Sequence, residues 1–479
     1  MSSDTEKPGA AAHVDGRRPA PGKGPKVRQA VVVIHGIGEQ RPMRTLRGFV
    51  NAVLPDHYKT DVKFRSKFDR MSESFELRCL QAPANTNFYY PQTEFYEYYW
   101  AHHMSGSHCA SVTAWLLKLL FRKYKEVPGQ LRPLYIASWV ILSLALLGLL
   151  AGLFWGNDRS GLVGRVLALP EQWPFRGSLL LLAGQYFLDR FMLRRMGEAA
   201  RYLTPNPENI EVRNKIRGEG AALLRKLHES GKYSRIVVVG HSLGSVIGYD
   251  IIRQLWGELH KPEQVAPVGQ EQAKLFDKTL DADITTKKFQ EKQFALWREY
   301  REVGIPWLVS DFITLGSPLA HASFLLADSA SEFNTRKQEF ELPVCPPLPD
   351  PKKKEVHYPA PYQVKGGSAG EIRNMWTPHR GAPFAVTRWT NLYFPADGLH
   401  GDVIGGPLAG VFGRGIRDVM VRPGKAGWLR STWYCHTCYW ETVMQWGTKQ
   451  PEGAPDASTA LAEALNLACG TCLETYPHS

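Results

Sequence analysis

Arg235–Gly244 reads RIVVVGHSLG, an apolar β-branched run that ends in Gly240-His241-Ser242-Leu243-Gly244. A run of Ile and Val without polar alternation predicts a strand covered on both faces, as in a parallel sheet. From Ser245 to Trp256 the apolar residues Val246, Ile247, Tyr249, Ile251 and Leu255 fall at helical spacing. Strand, G-x-S-x-G, helix is the context in which this pentapeptide forms a nucleophile elbow. The turn is tight enough that Gly240 and Gly244 are needed for their missing Cβ atoms. Ser242 is then expected at the amino end of the helix, where the helix dipole and the N–H of Leu243 face a developing oxyanion.

Working outward, Gln29–Ile34 (QAVVVI) predicts a second buried strand, running directly into His35-Gly36-Ile37-Gly38. Beside an elbow, this turn is expected to supply the other half of an oxyanion hole through the amide of Ile37, with His35 bracing the loop. Ile216, Leu223, Leu224 and Leu227 place an apolar stripe on a helix that stops at Gly231 and crosses over to the strand at 235. A general base is expected after Ser242, in the chain order Ser, acid, His.

With these pieces the chain resembles the α/β-hydrolase superfamily, within it the lipase- and phospholipase-like bacterial serine hydrolases. The stretches that carry the resemblance are HGIGEQ at 35–40, GHSLG at 240–244, FITLGSPL at 312–319, NLYFPADGLHGDVIGGPL at 391–408 and HTCYW at 436–440. The resemblance implies an α/β fold with a mostly parallel central sheet and flanking helices. It makes Ser242 the nucleophile and His436 the general base. The acid has two candidates: Asp402, in the stretch that matches the family's acid-bearing segment, is preferred, and Asp397, just after the strand at 391–394, is the alternative. No cofactor or metal is implied.

The chain departs from simpler members of that family by an insert at 111–200. Leu134–Trp155 holds 22 residues without a charge, about 33 Å of helix and enough to cross a hydrocarbon core of roughly 30 Å. Gly177–Leu188 is a shorter apolar stretch followed by Asp189 and Arg190. Lys118, Arg122, Lys123, Lys125 and Arg132 precede the pair, and Arg190, Arg194 and Arg195 follow it. That distribution predicts a membrane hairpin at the inner membrane with both outer flanks, and the hydrolase domain, on the cytoplasmic side.

Composition sets the remaining bounds. The 479 residues are 44% hydrophobic and 22% charged, the balance of a globular chain, with net charge +12 favouring anionic partners. A mean hydropathy of −0.28 excludes a polytopic transporter. Residues 1–28 are expected to be a disordered tail, 29–110 and 201–449 two parts of one hydrolase core, and 450–479 a terminal tail or helix. Within the second part, 258–303 is charged and helical, either a cap or an ordinary surface element. The segment 341–367, with seven prolines and a Lys352-Lys353-Lys354 run, is expected to be an irregular excursion.

Seven cysteines without a secretion signal argue for reduced thiols. Two C-x-x-C pairs, Cys435/Cys438 and Cys469/Cys472, have thiolate spacing, but 30 residues separate them, longer than the usual zinc-ribbon gap. His102, His103, His108 and Cys109 form a second metal-like cluster that no carboxylate joins at ligand spacing. Basic residues interleaved with aromatics are not concentrated anywhere, which argues against nucleic acid. The expected function is therefore a membrane-anchored serine hydrolase acting on carboxylic esters, lipid esters foremost. Acyltransferase or thioesterase chemistry would use the same residues, and a catalytically silent membrane scaffold is the rival from another class; protein partners are not indicated.

Overall fold

A computed structural model describes residues 28–37, 41–54, 64–72, 74–84, 91–104, 120–154, 199, 201–280, 283–368, 370–396, 401–422, 433–440 and 454–468. Within them the strands are β1 (Arg28–Ile34), β2 (Arg65–Phe68), β3 (Arg78–Ala82), β4 (Gln92–Tyr98), β5 (Arg235–His241), β6 (Gln264–Val265), β7 (Val309–Leu315), β8 (His357–Val364), β9 (Ile372–Pro378), β10 (Arg388–Tyr393) and β11 (Arg417–Met420). The principal helices are α1 (Arg44–Val53), α2 (Arg132–Phe154), α3 (Pro207–Glu229), α4 (Leu243–Leu259), α5 (Thr286–Val303) and α6 (Ala457–Leu465).

The fold is α/β. An eight-stranded sheet runs β11-β10-β7-β5-β1-β4-β3-β2, parallel from β11 to β4 and closed at one edge by the antiparallel β3 and β2. The two apolar runs of the sequence are neighbours at its centre, Gln29 opposite Arg235 and Ile34 opposite Gly240. Their alternate residues serve two cores, as burial on both faces requires. Val32, Ile34, Ile236 and Val238 join α3, α4 and α5 on one face, while Val31, Val33, Val237 and Val239 join α1 and α6 on the other. Parallel strands bring their carboxyl ends to one edge, so the loops after β1, β5, β7 and β10 converge there.

One expectation is corrected and two are narrowed. The segment 341–367 contains an element, since His357–Val364 pairs antiparallel with β9 in a small sheet ordered β6-β8-β9. Pro359 and Pro361 hid it. Two residues apart, they turn their missing N–H groups to the same side, and β6 reaches only Gln363 and Val364, so that side needs no donor there. The region 258–303 is core-packed: Leu296 and Trp297 of α5 are fully buried, and Gln290 donates to the carbonyl of Trp389 early in β10, 2.9 Å away. The C-terminal stretch contributes α6, capped by Asp456 and buried through Leu461 and Leu465. The expected tail before β1 lies outside the described residues.

The insert contributes α2, whose Ile136, Trp139, Val140, Leu144 and Leu147 are exposed. Among the described residues one helical stretch, Gly129–Leu147, is long and apolar enough to cross a membrane, with mean hydropathy 1.5 and only 6% of it buried. The second apolar stretch, 177–193, lies outside the described residues.

At the opposite edge of the sheet, buried Arg235 ties the start of β5 to β7 and to the end of α6. Its guanidinium donates to Asp311 (2.6 Å), to Ser310 (2.8 Å) and to the carbonyls of Leu465 and Asn466. Asp311 also accepts from Arg388 at 2.8 Å. Burial pushes the Asp311 carboxyl up, but Arg388 and Arg235 overcome it and hold it down at about 2. Because the folded value lies below the unfolded one, the stabilisation is complete above about pH 4 and is lost as pH falls toward 2. Asp311→Asn should therefore cost on the order of 3–5 kcal/mol in denaturant unfolding at pH 7, with the gap to wild type narrowing between pH 4 and 2. A gap independent of pH would show that the carboxylate charge is not what matters.

Candidate active site

The elbow forms as the sequence requires. Ser242 sits between β5 and α4 at φ 51°, ψ −127°, a conformation that L-residues rarely hold unless the surroundings impose it. Those surroundings are backbone: a Cβ on Gly240 would lie 2.5 Å from Ser245 Cα, and one on Gly244 would lie 2.3 Å from the carbonyl oxygen of Ile34. Gly244 thus lets α4 start directly against the end of β1. The Ser242 amide donates to Leu315 of β7 at 2.9 Å, and Ser245 Oγ donates to the Ser242 carbonyl at 2.6 Å, fixing the turn from both sides.

His436 and Asp402 arrive from two later loops. His436 Nε2 is 2.7 Å from Ser242 Oγ, and His436 Nδ1 is 2.9 Å from Asp402 Oδ2. The three lie 194 and 34 residues apart in sequence, and all are buried. Asp402 is fixed further: its Oδ1 accepts from the amides of Ile404 and Gly405, both at 3.0 Å, and its Oδ2 accepts from the Tyr439 hydroxyl at 2.8 Å. Burial would raise the Asp402 carboxyl, but the His436 ring, the Gly405 amide and the Tyr439 hydroxyl hold it down at about 2. It is a carboxylate at neutral pH. With Asp402 accepting at Oδ2, Nδ1 carries the imidazole proton and Nε2 is free to accept from the serine, the tautomer a general base needs. Asp397 lies outside the described residues.

The two oxyanion candidates lie where the elbow and the β1 loop meet. Leu243 is the first residue of α4, so its N–H is among those a helix leaves without an internal acceptor. Ile37 follows Gly36, which touches the elbow: a Cβ there would be 2.9 Å from Ser242 Cβ. His35 braces this loop. Its Nδ1 is 2.8 Å from the Gly36 carbonyl, its ring stacks on Trp100 at 4.9 Å, and burial lowers it to about 4, so it is neutral.

Two supporting residues were not singled out by sequence reasoning. His241 Nε2 donates to the His436 carbonyl at 2.8 Å, its ring packs 4.7 Å from Trp440, and burial followed by the nearby His436 lowers it to about 3. Tyr439 accepts from the Phe394 amide at 3.1 Å while donating to Asp402, which links the end of β10 to the acid. Only the x of G-x-S-x-G and the aromatic after HTC pointed to them.

The cysteine and histidine clusters resolve differently. Cys435 and Cys438 are buried, and burial, then Asp402, pushes the Cys435 thiol well above its ordinary range; Cys469 and Cys472 lie outside the described residues. The expectation that no carboxylate joins His102 and His103 is corrected, because Glu219 of α3 reaches them across 116 residues of sequence. His103 Nε2 is 2.6 Å from Glu219 Oε2, a hydrogen-bond separation and shorter than the roughly 3.3 Å between two ligands of one tetrahedral zinc. His108 and Cys109 lie outside the described residues.

No protein-family model, curated protein or solved structure matches the chain. A buried, hydrogen-bonded Ser-His-Asp chain at the start of a helix can move a proton off a serine hydroxyl, and the amide of Leu243 at that helix start can stabilise the oxyanion its attack creates. Asp402→Asn should lower turnover by on the order of 10⁴, and Tyr439→Phe by roughly tenfold to a hundredfold, whereas Asp397→Asn should be mild. Steady-state rates of the three variants check this, and a severe Asp397→Asn with a mild Asp402→Asn would reassign the acid.

Proposed function

We propose that this chain is a membrane-anchored serine hydrolase of the α/β-hydrolase fold that cleaves carboxylic esters, lipid esters foremost. The observation that carries the reading is the 2.7 Å contact between Ser242 Oγ and His436 Nε2 at an elbow held at φ 51°. In the proposed reaction His436 Nε2 takes the Ser242 proton as Oγ attacks the ester carbonyl. The negative oxygen is held by the amides of Leu243 and Ile37. The imidazolium, steadied by Asp402, returns that proton to the departing alcohol and leaves an acyl-serine. Water, deprotonated by His436, then attacks the acyl carbonyl, and the acid leaves as Ser242 regains its proton.

The fold assignment draws support from the order of the central strands, which places the nucleophile strand β5 between β1 and β7 with the oxyanion loop directly after β1. The membrane assignment rests on α2 and the turn before it, apolar and largely unburied over Gly129–Leu147. Chain order constrains it further. Because β1 and β5 pair in one sheet, the residues on either side of the insert share a compartment, and the chain crosses the bilayer an even number of times between them. A spanning α2 therefore demands a return arm, for which 177–193 is the candidate, with both flanks cytoplasmic by their positive charge.

The test is hydrolysis of esters of increasing acyl length by membranes carrying wild type or Ser242→Ala. Ser242→Ala should lose on the order of 10⁴ to 10⁶ in turnover while remaining folded, and one retaining more than about a tenth of the rate would remove Ser242 from the mechanism. In the same membranes Ser160→Cys should be shielded from an impermeant thiol reagent added on the cytoplasmic side, where Ser2→Cys reacts. Labelling of both from that side would contradict the hairpin.

A further inference from the structure

The root of α2 carries a cluster of aromatic and basic side chains whose position relative to Asp402 has a functional consequence. Phe121, 70% exposed, folds back so that its ring meets Trp139 edge-on at 5.7 Å. Tyr124 lies beside Tyr135 with the Arg132 guanidinium over its ring at 5.1 Å. Lys123 and Lys125 are exposed in the same turn. Glu126, the acidic residue in that turn, is engaged with Arg122 at 3.5 Å. Above this collar Ile136, Val140 and Leu144 continue the apolar surface, and with Tyr135 and Trp139 they line a shallow groove on the helix. Lysines, aromatic rings and an apolar shaft, in that order, match the layers of a bilayer: charged headgroups, interface, acyl chains.

The collar is fixed to the catalytic edge of the sheet. Arg122 donates to the carbonyls of Ala327 (2.6 Å) and Asp328 (2.5 Å), in the segment that follows β7, and Tyr135 Oη donates to the Arg122 carbonyl at 2.9 Å. On the other side Gln130 packs against Gly406, where a Cβ would lie 3.1 Å from its Oε1. Gly406 adjoins Gly405, whose amide holds Asp402. The helix therefore leaves the protein beside the loop that carries the acid.

We propose that Phe121, Lys123, Tyr124, Lys125, Arg132 and Trp139 form a seat for anionic phospholipid headgroups that holds the catalytic edge against the bilayer surface. This rests on the reading of α2 as membrane-spanning. The occupant is a negatively charged bilayer because the collar is net cationic, Arg122, Lys123, Lys125 and Arg132 outnumbering Glu126 and Asp328, and the chain as a whole carries +12. An ester embedded in that bilayer is then presented next to Ser242, and the substrates are bilayer-resident amphiphiles in place of water-soluble esters.

The test reconstitutes the full chain, as wild type and as Ser242→Ala, in phosphatidylcholine bilayers with trace spin-labelled phosphatidylglycerol or spin-labelled phosphatidylcholine. The motionally restricted fraction of each lipid is read by electron paramagnetic resonance. Restricted phosphatidylglycerol should exceed phosphatidylcholine by about fivefold, equally in both proteins, and Lys123→Glu/Lys125→Glu should erase the preference. Equal restriction of the two lipids by wild type would overturn the seat while leaving α2 in the membrane. A preference that survives the double substitution would overturn it by placing the charge elsewhere, and no restricted lipid of either kind would overturn the membrane reading with it. A preference found in protein that turns over no ester supports the seat and counts against the catalytic reading alone.

Discussion

The site depends on one close approach, that of the first turn of α4 to the end of β1 across Gly244. The carbonyl of Ile34 stands where a Cβ would be, 2.3 Å away, and the strained Ser242 backbone persists because β1, β5 and β7 leave it no other path. The same contact seats the loop after β1 against the start of α4 beside Ser242, and it does so with backbone, which reorganises little. The parallel pairing of β1 with β5 is what makes the contact possible, and that pairing is built from residues separated by more than 200 positions.

His436 and Asp402, the proposed base and acid, are positioned by a different device. Asp402 lies in the connection between β10 and β11 and His436 in a short helical turn, Trp433–Thr437, after β11, and such segments hold functional side chains in place only when other side chains lock them. Tyr439 and His241 do this: one binds the carboxylate and the end of β10, the other binds the His436 backbone from within the elbow itself. Both are buried and neutral, so they fix geometry without adding a charge that would compete with Asp402 for the imidazolium.

The sequence made this core legible where the signal was local. The run from 235 to 256 predicted strand, turn and helix because each has its own periodicity, and the QAVVVI strand was readable for the same reason. Ser242, Ile37 and Leu243 followed from that local context, while His436 and Asp402 were reached through family resemblance. What stayed hidden was non-local or carried contrary signals. Glu219 meets His103 only because α3 packs beside the segment after β4. The Arg235–Asp311–Arg388 cluster joins three strands. Pro359 and Pro361 argue against a strand unless one knows that their edge is unpaired there.

If the proposed chemistry is right, the chain joins a preformed acyl-transfer site to a helix that leaves the protein beside its acid loop. Catalysis and anchoring would then share the stretch from Asp402 to Gly406. The most direct measurement of the central claim is peptide mapping by mass spectrometry after reaction of the full-length protein with a fluorophosphonate. The account predicts a single phosphonylated residue, Ser242, whose labelling is abolished by His436→Ala. A modification at another serine, or none in folded protein, would contradict it.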